Sequence, residues 1–237
     1  MLDLKFYKKE LNREGLKYFL SARAQKISDK FDFNISKKLR SDSTFLFQNK
    51  KYHYLIEKYN YAWKNERSVE IPISWEMVKR YKGKKILEIG NVLSHYYKTD
   101  HTIVDKYEKE KGVINEDVVS FKSNKKYDLI LAISTLEHVG WEEKSKEPLK
   151  ILKAVKNMKK LAGKDGEILI TLPINYSNPK LNELINKNKL GFSSTSYLKR
   201  VSKHKWIESD LEGVKNVKYN SPFPNSNAIL VGIIKNT

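Results

Sequence analysis

The chain has 237 residues, with 46 Lys and Arg against 28 Asp and Glu, a formal charge of +18 and no cysteine. The lack of cysteine excludes disulfides, thiol nucleophiles, iron–sulfur clusters and Cys-based zinc sites, and the five histidines (His53, His95, His101, His138, His204) show no short metal-ligand spacing, so no metal is expected. An aromatic fraction of 11% excludes a disordered chain, and no apolar run approaches the roughly 18–20 residues that cross a bilayer.

In chain order, Leu11, Leu16, Phe19, Leu20, Ala24 and Ile27 recur at helical spacing and predict one helix over residues 11–28. Two β-rich runs within residues 44–56 flank the polar segment 48–51 and predict a hairpin. Residues 73–81, after Pro72, predict a short helix. From residue 84 the texture changes. One apolar run covers 85–90 and ends in Gly90; a second covers 102–105 and ends in Asp105. Val113 and Ile114 precede Asp117, and residues 127–133 are apolar after their start. A helical pattern covers 147–161, a turn 163–166, a strand 167–172 closed by Pro173, and a last strand 228–234.

Near-continuous apolar strands divided by loops and helices predict an α/β fold with a doubly wound, mostly parallel sheet covered on both faces. Two parts are expected: an N-terminal helix-and-hairpin extension over 1–66, serving as a lid or partner surface, and an α/β domain over 67–237.

A charge of +18 first points to an anionic partner. The excess is spread, however: +7 over residues 1–66, +6 over 173–237 and +5 between them. Only doublets such as Lys37-Lys38 and Lys159-Lys160 recur, without a dense basic arm. This distribution favours a compositional bias over a nucleic-acid footprint. The first ten residues carry charges where a signal peptide needs an apolar core, so a cytoplasmic location is expected.

In open parallel sheets, ligands bind beyond the carboxyl ends of the strands near the topological switch point. Those positions here are Glu88 and Gly90, Asp105, Asp117, and residues 134–138. A glycine admits close backbone approach, and successive carboxylates suit the hydroxyls and amino group of a nucleoside.

The set Ile86-Leu-Glu-Ile-Gly90, Ile103-Val-Asp105, Asn115-Glu-Asp117 and the run from Tyr127 to His138 resembles class I S-adenosylmethionine-dependent methyltransferases in order and spacing, over roughly residues 67–237. The resemblance implies a Rossmann-like fold and S-adenosylmethionine as cofactor. It also implies that Glu88 and Gly90 open the cofactor loop and that Asp105 binds the ribose. Asp117 with the Val118 amide would contact adenine, and Ser134 would lie by the methionine part. The loop departs from the family pattern of three alternating glycines and keeps only the first. Asn91 tolerates a left-handed backbone and would let the turn form, with Ser94 and His95 supplying polar contacts.

Glu137 and His138 follow the fourth parallel strand, where an acceptor would meet the methyl group. Histidine is the side chain that ordinarily exchanges a proton near neutral pH, so His138 is either a general base or a structural cap on the next segment. Trp141 either stacks on an acceptor or covers the core edge. Arg67 and Trp63 precede the sheet in a polar segment; Arg67 is placed to pair with a carboxylate and Trp63 to line a pocket, or both belong to a surface linker. The resulting expectation is O-methylation of a small molecule or glycan. An RNA methyltransferase is the alternative, although Ser134-Thr-Leu-Glu137 does not resemble the Asn/Asp-Pro-Pro-aromatic motif of many base-methylating enzymes. A non-catalytic binding protein on the same fold is a third.

Overall fold

The computed structural model describes residues 4–236, with side chains from Ser21 onward except Ala22. The chain forms two compact units, Met1–Asp42 and Ser43–Thr237. The first contains the helix α1 (Leu4–Arg40), which is longer than the predicted 11–28. Its continuation was hidden because Phe31, Phe33 and Ile35 alternate as in a strand. No proline interrupts it, and Lys37, Lys38 and Arg40 in its last turn complement the helix dipole.

The second unit opens with the hairpin β1 (Thr44–Phe47) and β2 (Lys50–His53). Gln48 and Asn49 both have positive φ (50° and 59°), the two-residue turn whose twist matches antiparallel strands. Phe45 and Tyr52 are cross-strand partners with stacked rings 5.5 Å apart. The hairpin belongs to the same compact unit as the sheet, so the division lies after Asp42 and not at the expected boundary between 66 and 67. Aromatic packing and polar ties explain this: the Gln48 amide donates to Glu208, and the Trp206 amide donates to the Tyr54 hydroxyl at 2.9 Å.

The helix α2 (Arg67–Arg80) starts before Pro72, where none was predicted. A proline inside a helix leaves the carbonyl four residues earlier without its donor. Here that carbonyl is Ser68's, and it accepts from the Leu55 amide at 2.9 Å. The chain ahead of the helix thus supplies the missing donor and lets the helix run through the proline.

The remaining elements are β3 (Ile86–Ile89), β4 (Thr102–Val104), β5 (Val113–Ile114), β6 (Tyr127–Ile133), α3 (Lys150–Leu161), β7 (Ala162–Pro173), α4 (Pro179–Asn186), β8 (Ser194–Ser202), β9 (Lys205–Ser209), α5 (Leu211–Val214) and β10 (Ala228–Asn236). They form one eight-stranded sheet in the order β5-β4-β3-β6-β7-β10-β8-β9. The first five strands are parallel; β10 is antiparallel to both β7 and β8, and β9 to β8. The chain steps from β3 outward to β5, then returns to place β6 on the other side of β3. This is the doubly wound α/β order, with its switch point between β3 and β6.

β6 is apolar from Leu129 to Ile133 because both its faces are covered there. Ile130 and Ala132 pack with Ala154 and Met158 of α3, whereas Leu129, Leu131 and Ile133 pack with Val69, Ile71 and Met77 of α2 and with the hairpin aromatics. Residues 163–166 are a bulge within β7 and not a turn before it. Ala162 faces Tyr127 and Glu167 faces Leu129, and Asp165 absorbs the excursion at φ 61°. The crossover from β3 to β4 holds only a 3-10 turn at Leu93–His95, so no α-helix follows the first parallel strand.

Candidate functional site

The loop after β3 is shaped from beneath by Glu88. This carboxylate is fully buried; one oxygen accepts from the amides of Val92 (2.9 Å) and Leu93 (2.8 Å), and the other lies 2.7 Å from His101 Nε2. These bonds impose the turn for which the missing glycines would otherwise be needed. Gly90 alone in the loop takes the left-handed backbone, at φ 85°, so the expectation that Asn91 would do so is corrected. A Cβ at position 90 would meet Thr135 Oγ1 at 2.4 Å. Ser94 donates to Asn91 Oδ1, while the buried Asn91 Nδ2 has no partner.

Asp105, at the end of β4, is drawn into the same loop. Its Oδ1 accepts from the amides of Tyr107 and Glu108, both at 2.8 Å, and its Oδ2 accepts from the Asn91 amide at 3.1 Å. Asp117 is more heavily committed. Its Oδ1 accepts from the Val119 amide, and its Oδ2 accepts from Lys150 (2.7 Å) and Lys106 (2.9 Å), both of which also hold Glu143. Burial would raise the Asp117 carboxyl, but Lys150, the Val119 amide and Lys106 hold it down at about 2.

Ser134 follows β6 at φ 38°. Its amide donates to the Thr171 carbonyl and hydroxyl, and its hydroxyl donates to Glu70 Oε2 at 2.8 Å. Glu70, on the first turn of α2, is fully buried; it also accepts from the Thr171 hydroxyl and pairs with Arg67 at 3.1 Å. Arg67 Nη1 donates in addition to the Ile133 carbonyl at 3.1 Å. Burial works against the Arg67 charge, but Glu70 and Glu66 more than restore it. Burial, then repulsion from Glu70, push Glu66 up to about 7.

His138 is held by a neighbour that sequence reasoning missed. Its Nδ1 lies 2.8 Å from Glu142 and 3.3 Å from the Tyr176 hydroxyl, which itself donates to Glu142. With Nδ1–H donated to the Glu142 carboxylate, Nε2 carries the free lone pair. Glu142 follows His138 by four residues, a spacing readable in the sequence had the segment been assigned a helical turn. Glu137 is buried, with its Oε2 unpartnered and its Oε1 3.8 Å from His138 Nε2. Burial pushes its carboxyl well above the ordinary range.

A cavity of about 390 Å³ opens at the carboxyl ends of β3, β4 and β6, and Arg67, Gly90, Asn91, Asp105, Asp117, Val118, Ser134 and His138 all line it. Four expected site residues do not. Glu88 and Glu137 are buried behind the wall. Trp141 donates its indole N–H to Ser177 Oγ (3.0 Å) beneath the Lys146 ammonium. Trp63 is buried and packs against Tyr61. The cavity also includes Lys106, Tyr107, Thr135, Glu142 and Glu143. Lys106 and Tyr107 follow Asp105 directly, and strand-end logic extended by two residues would have found them.

No family model and no curated protein matches the chain. Among solved structures it is similar to the N-methyltransferase NodS from Bradyrhizobium japonicum WM9 in complex with S-adenosyl-L-homocysteine, at 12% identity over 72% of this chain and 87% of that one, with a TM-score of 0.47. It is also similar to a SAM-dependent methyltransferase from Archaeoglobus fulgidus, at 14% identity over 75% and 97% of the two chains and a TM-score of 0.45.

Proposed function

We propose that the chain is an S-adenosylmethionine-dependent methyltransferase that methylates an oxygen of a small molecule or glycan. The observation that supports it most is the cavity at the switch point, where three strand ends meet and Asn91 leaves a buried N–H donor without a partner. The Gly90 position, closed to any Cβ, gives the same wall its close approach.

The residues present suit the cofactor. Asp105 Oδ2 accepts one amide and keeps a lone pair for a hydroxyl. Asn91 Nδ2 supplies a donor beside it. Arg67 offers its guanidinium to a carboxylate, the ligand type for which its planar fork is suited. Both lysines are on Asp117 Oδ2, and its Oδ1 accepts only the Val119 amide, so Oδ1 keeps a lone pair for the amino group of adenine, with the Val118 backbone beside it. When bound, the cofactor supplies an activated methyl group, and transfer then depends chiefly on positioning. His138 Nε2 would take the proton of an acceptor hydroxyl, with Glu142 and Tyr176 holding the imidazole in the required tautomer.

Calorimetric titration of the full chain with S-adenosylmethionine tests this reading. Saturable binding is expected, weakened at least tenfold by Asn91→Asp, which keeps the acceptor for Ser94 but removes the N–H donor. Absence of binding at millimolar cofactor would count against the enzyme and favour a different nucleoside ligand.

A further inference from the structure

A second cavity opens at the amino ends of β3 and β4, the opposite end of these strands from the first. A crossover between two parallel strands ordinarily carries a helix that covers one face of the sheet. Here residues 90–101, between β3 and β4, hold only the 3-10 turn Leu93–His95. A cavity of about 530 Å³ is left between the end of α2 and residues 98–101, which lead into β4. Its size is that of a small-molecule site, for which the range is about 300–1,000 Å³. It shares no lining residue with the cavity at the carboxyl strand ends.

Its walls differ in character. Trp75, whose ring stacks on Tyr97 at 4.3 Å, forms an apolar side with Val78 and Ile86. Lys82, Lys84 and Lys98 also line the cavity and are exposed; among the described residues no carboxylate pairs with any of the three. Lys79, the fourth lysine, is held by Glu76 at 2.7 Å, and Asp100 is the one acidic lining residue. Lysines without partners around a concave site suit a phosphate, which they meet as point charges.

His101 lines the same cavity, and its side chain is only 2% exposed. Its Nε2 lies 2.7 Å from Glu88 Oε2. A carboxylate only accepts, so Nε2 carries the hydrogen. Nδ1 is buried and has no partner, although buried polar atoms ordinarily have one. A hydroxyl both donates and accepts, and so satisfies Nδ1 in either protonation state of the ring. His101 also borders a smaller hollow of about 330 Å³, but there Asp100 and Glu110 outnumber Lys111, so an anion belongs on the α2 side.

We propose that this cavity binds a small sugar phosphate, with the phosphate at Lys82, Lys84 and Lys98, a hydroxyl at His101 Nδ1 and the sugar ring against Trp75. Neither inorganic phosphate nor an uncharged sugar would use both halves of the site. This inference is independent of the enzymatic reading.

Calorimetric titration of the full chain with glucose 6-phosphate and ribose 5-phosphate tests it, with inorganic phosphate and glucose as references. At least one sugar phosphate is expected to bind saturably, about tenfold or more tighter than either reference. The double variant Lys84→Glu, Lys98→Glu should weaken that binding by about tenfold or more, as expected for lost contacts to a charged group. His101→Gln keeps a donor for Glu88 but removes Nδ1, and should weaken it about threefold to tenfold while leaving inorganic phosphate unaffected. Urea midpoints close to the parent's would show that the variants are folded; the two lysines are exposed, so their variant tests the site whatever His101→Gln does to the fold. Absence of binding by both sugar phosphates at millimolar concentration overturns the proposal. Equal binding of inorganic phosphate also overturns it, leaving only a basic patch. Unchanged affinity in either folded variant, or displacement by S-adenosylmethionine, would place the ligand elsewhere and overturn it too.

Discussion

Gly90 and Thr135 approach so closely across the β3–β6 switch point that a Cβ on residue 90 would sit 2.4 Å from the Thr135 hydroxyl. Two strand ends that are distant in sequence thus share one wall of the cavity. The left-handed backbone at Gly90 adds a second reason why no side chain fits. Gly90→Ala is expected to lower stability by about 1–3 kcal/mol, the usual range for a strained residue, and to weaken cofactor binding at least tenfold. Urea unfolding and calorimetry check the two effects separately, and unchanged binding would remove this contact from the cofactor wall.

Glu88 makes a separate prediction, because it acts on the loop and not on the ligand. Glu88→Ala leaves the Val92 and Leu93 amides and His101 without their acceptor, at about 1–3 kcal/mol for each buried group stranded. Glu88→Gln keeps an acceptor for the two amides and should lose less. Denaturant midpoints for the pair would show this order, and equal losses would mean that the amide bonds are not what holds the loop.

Glu66 gives stability a pH dependence of definite sign. Its carboxyl sits at about 7 when folded, against 4.5 for the unfolded group. The folded chain therefore binds more protons than the unfolded chain between these values. Stability attributable to Glu66 falls as pH rises from about 4.5 and levels off above 7, with a total near 3 kcal/mol by linkage. Buried Glu137 acts in the same direction. Glu66→Gln should flatten the profile across this window, as read from urea midpoints at several pH values. A profile as steep as the parent's would exclude Glu66 as its source.

Glu142 and Tyr176 should affect turnover more than binding. Loss of an orienting partner typically costs 10–100-fold, and loss of a general base about 10²–10⁴-fold. Glu142→Gln is therefore expected to lower kcat within the first range, and His138→Ala within the second, with cofactor affinity unchanged in both. Once an acceptor is in hand, steady-state kinetics distinguish this from a structural role, which would move KM and kcat together.

The sheet core was legible because burial on both faces writes an unbroken apolar run, as in β6 from Leu129 to Ile133, and because Gly90 and Asp105 punctuate the strand ends. The hairpin was legible from its polar turn. β8 and β9 were not, since β9 buries Trp206 but exposes most of its other positions, which leaves no period to read. The start of α2 was concealed by Pro72, whose cost is met by Leu55, a residue outside the helix. The same limit applies to the site. Strand-end residues could be listed from sequence, but that one oxygen of Asp117 holds both Lys106 and Lys150, or that Trp63 and Trp141 turn away, depends on contacts between segments that sequence spacing does not encode.

The loop after β3 also decides what the cavity refuses. In dinucleotide-binding folds, the corresponding loop offers free backbone amides and a helix N-terminus to a pyrophosphate. Here the amides of Asn91, Val92 and Leu93 are all spent on carboxylates, Asp105 for the first and Glu88 for the other two, and only a 3-10 turn follows. A phosphate brought to this loop would meet carboxylates in place of free backbone amides at these three residues. The loop therefore lacks both the free amides at Asn91, Val92 and Leu93 and the helix N-terminus with which dinucleotide-binding folds hold a pyrophosphate.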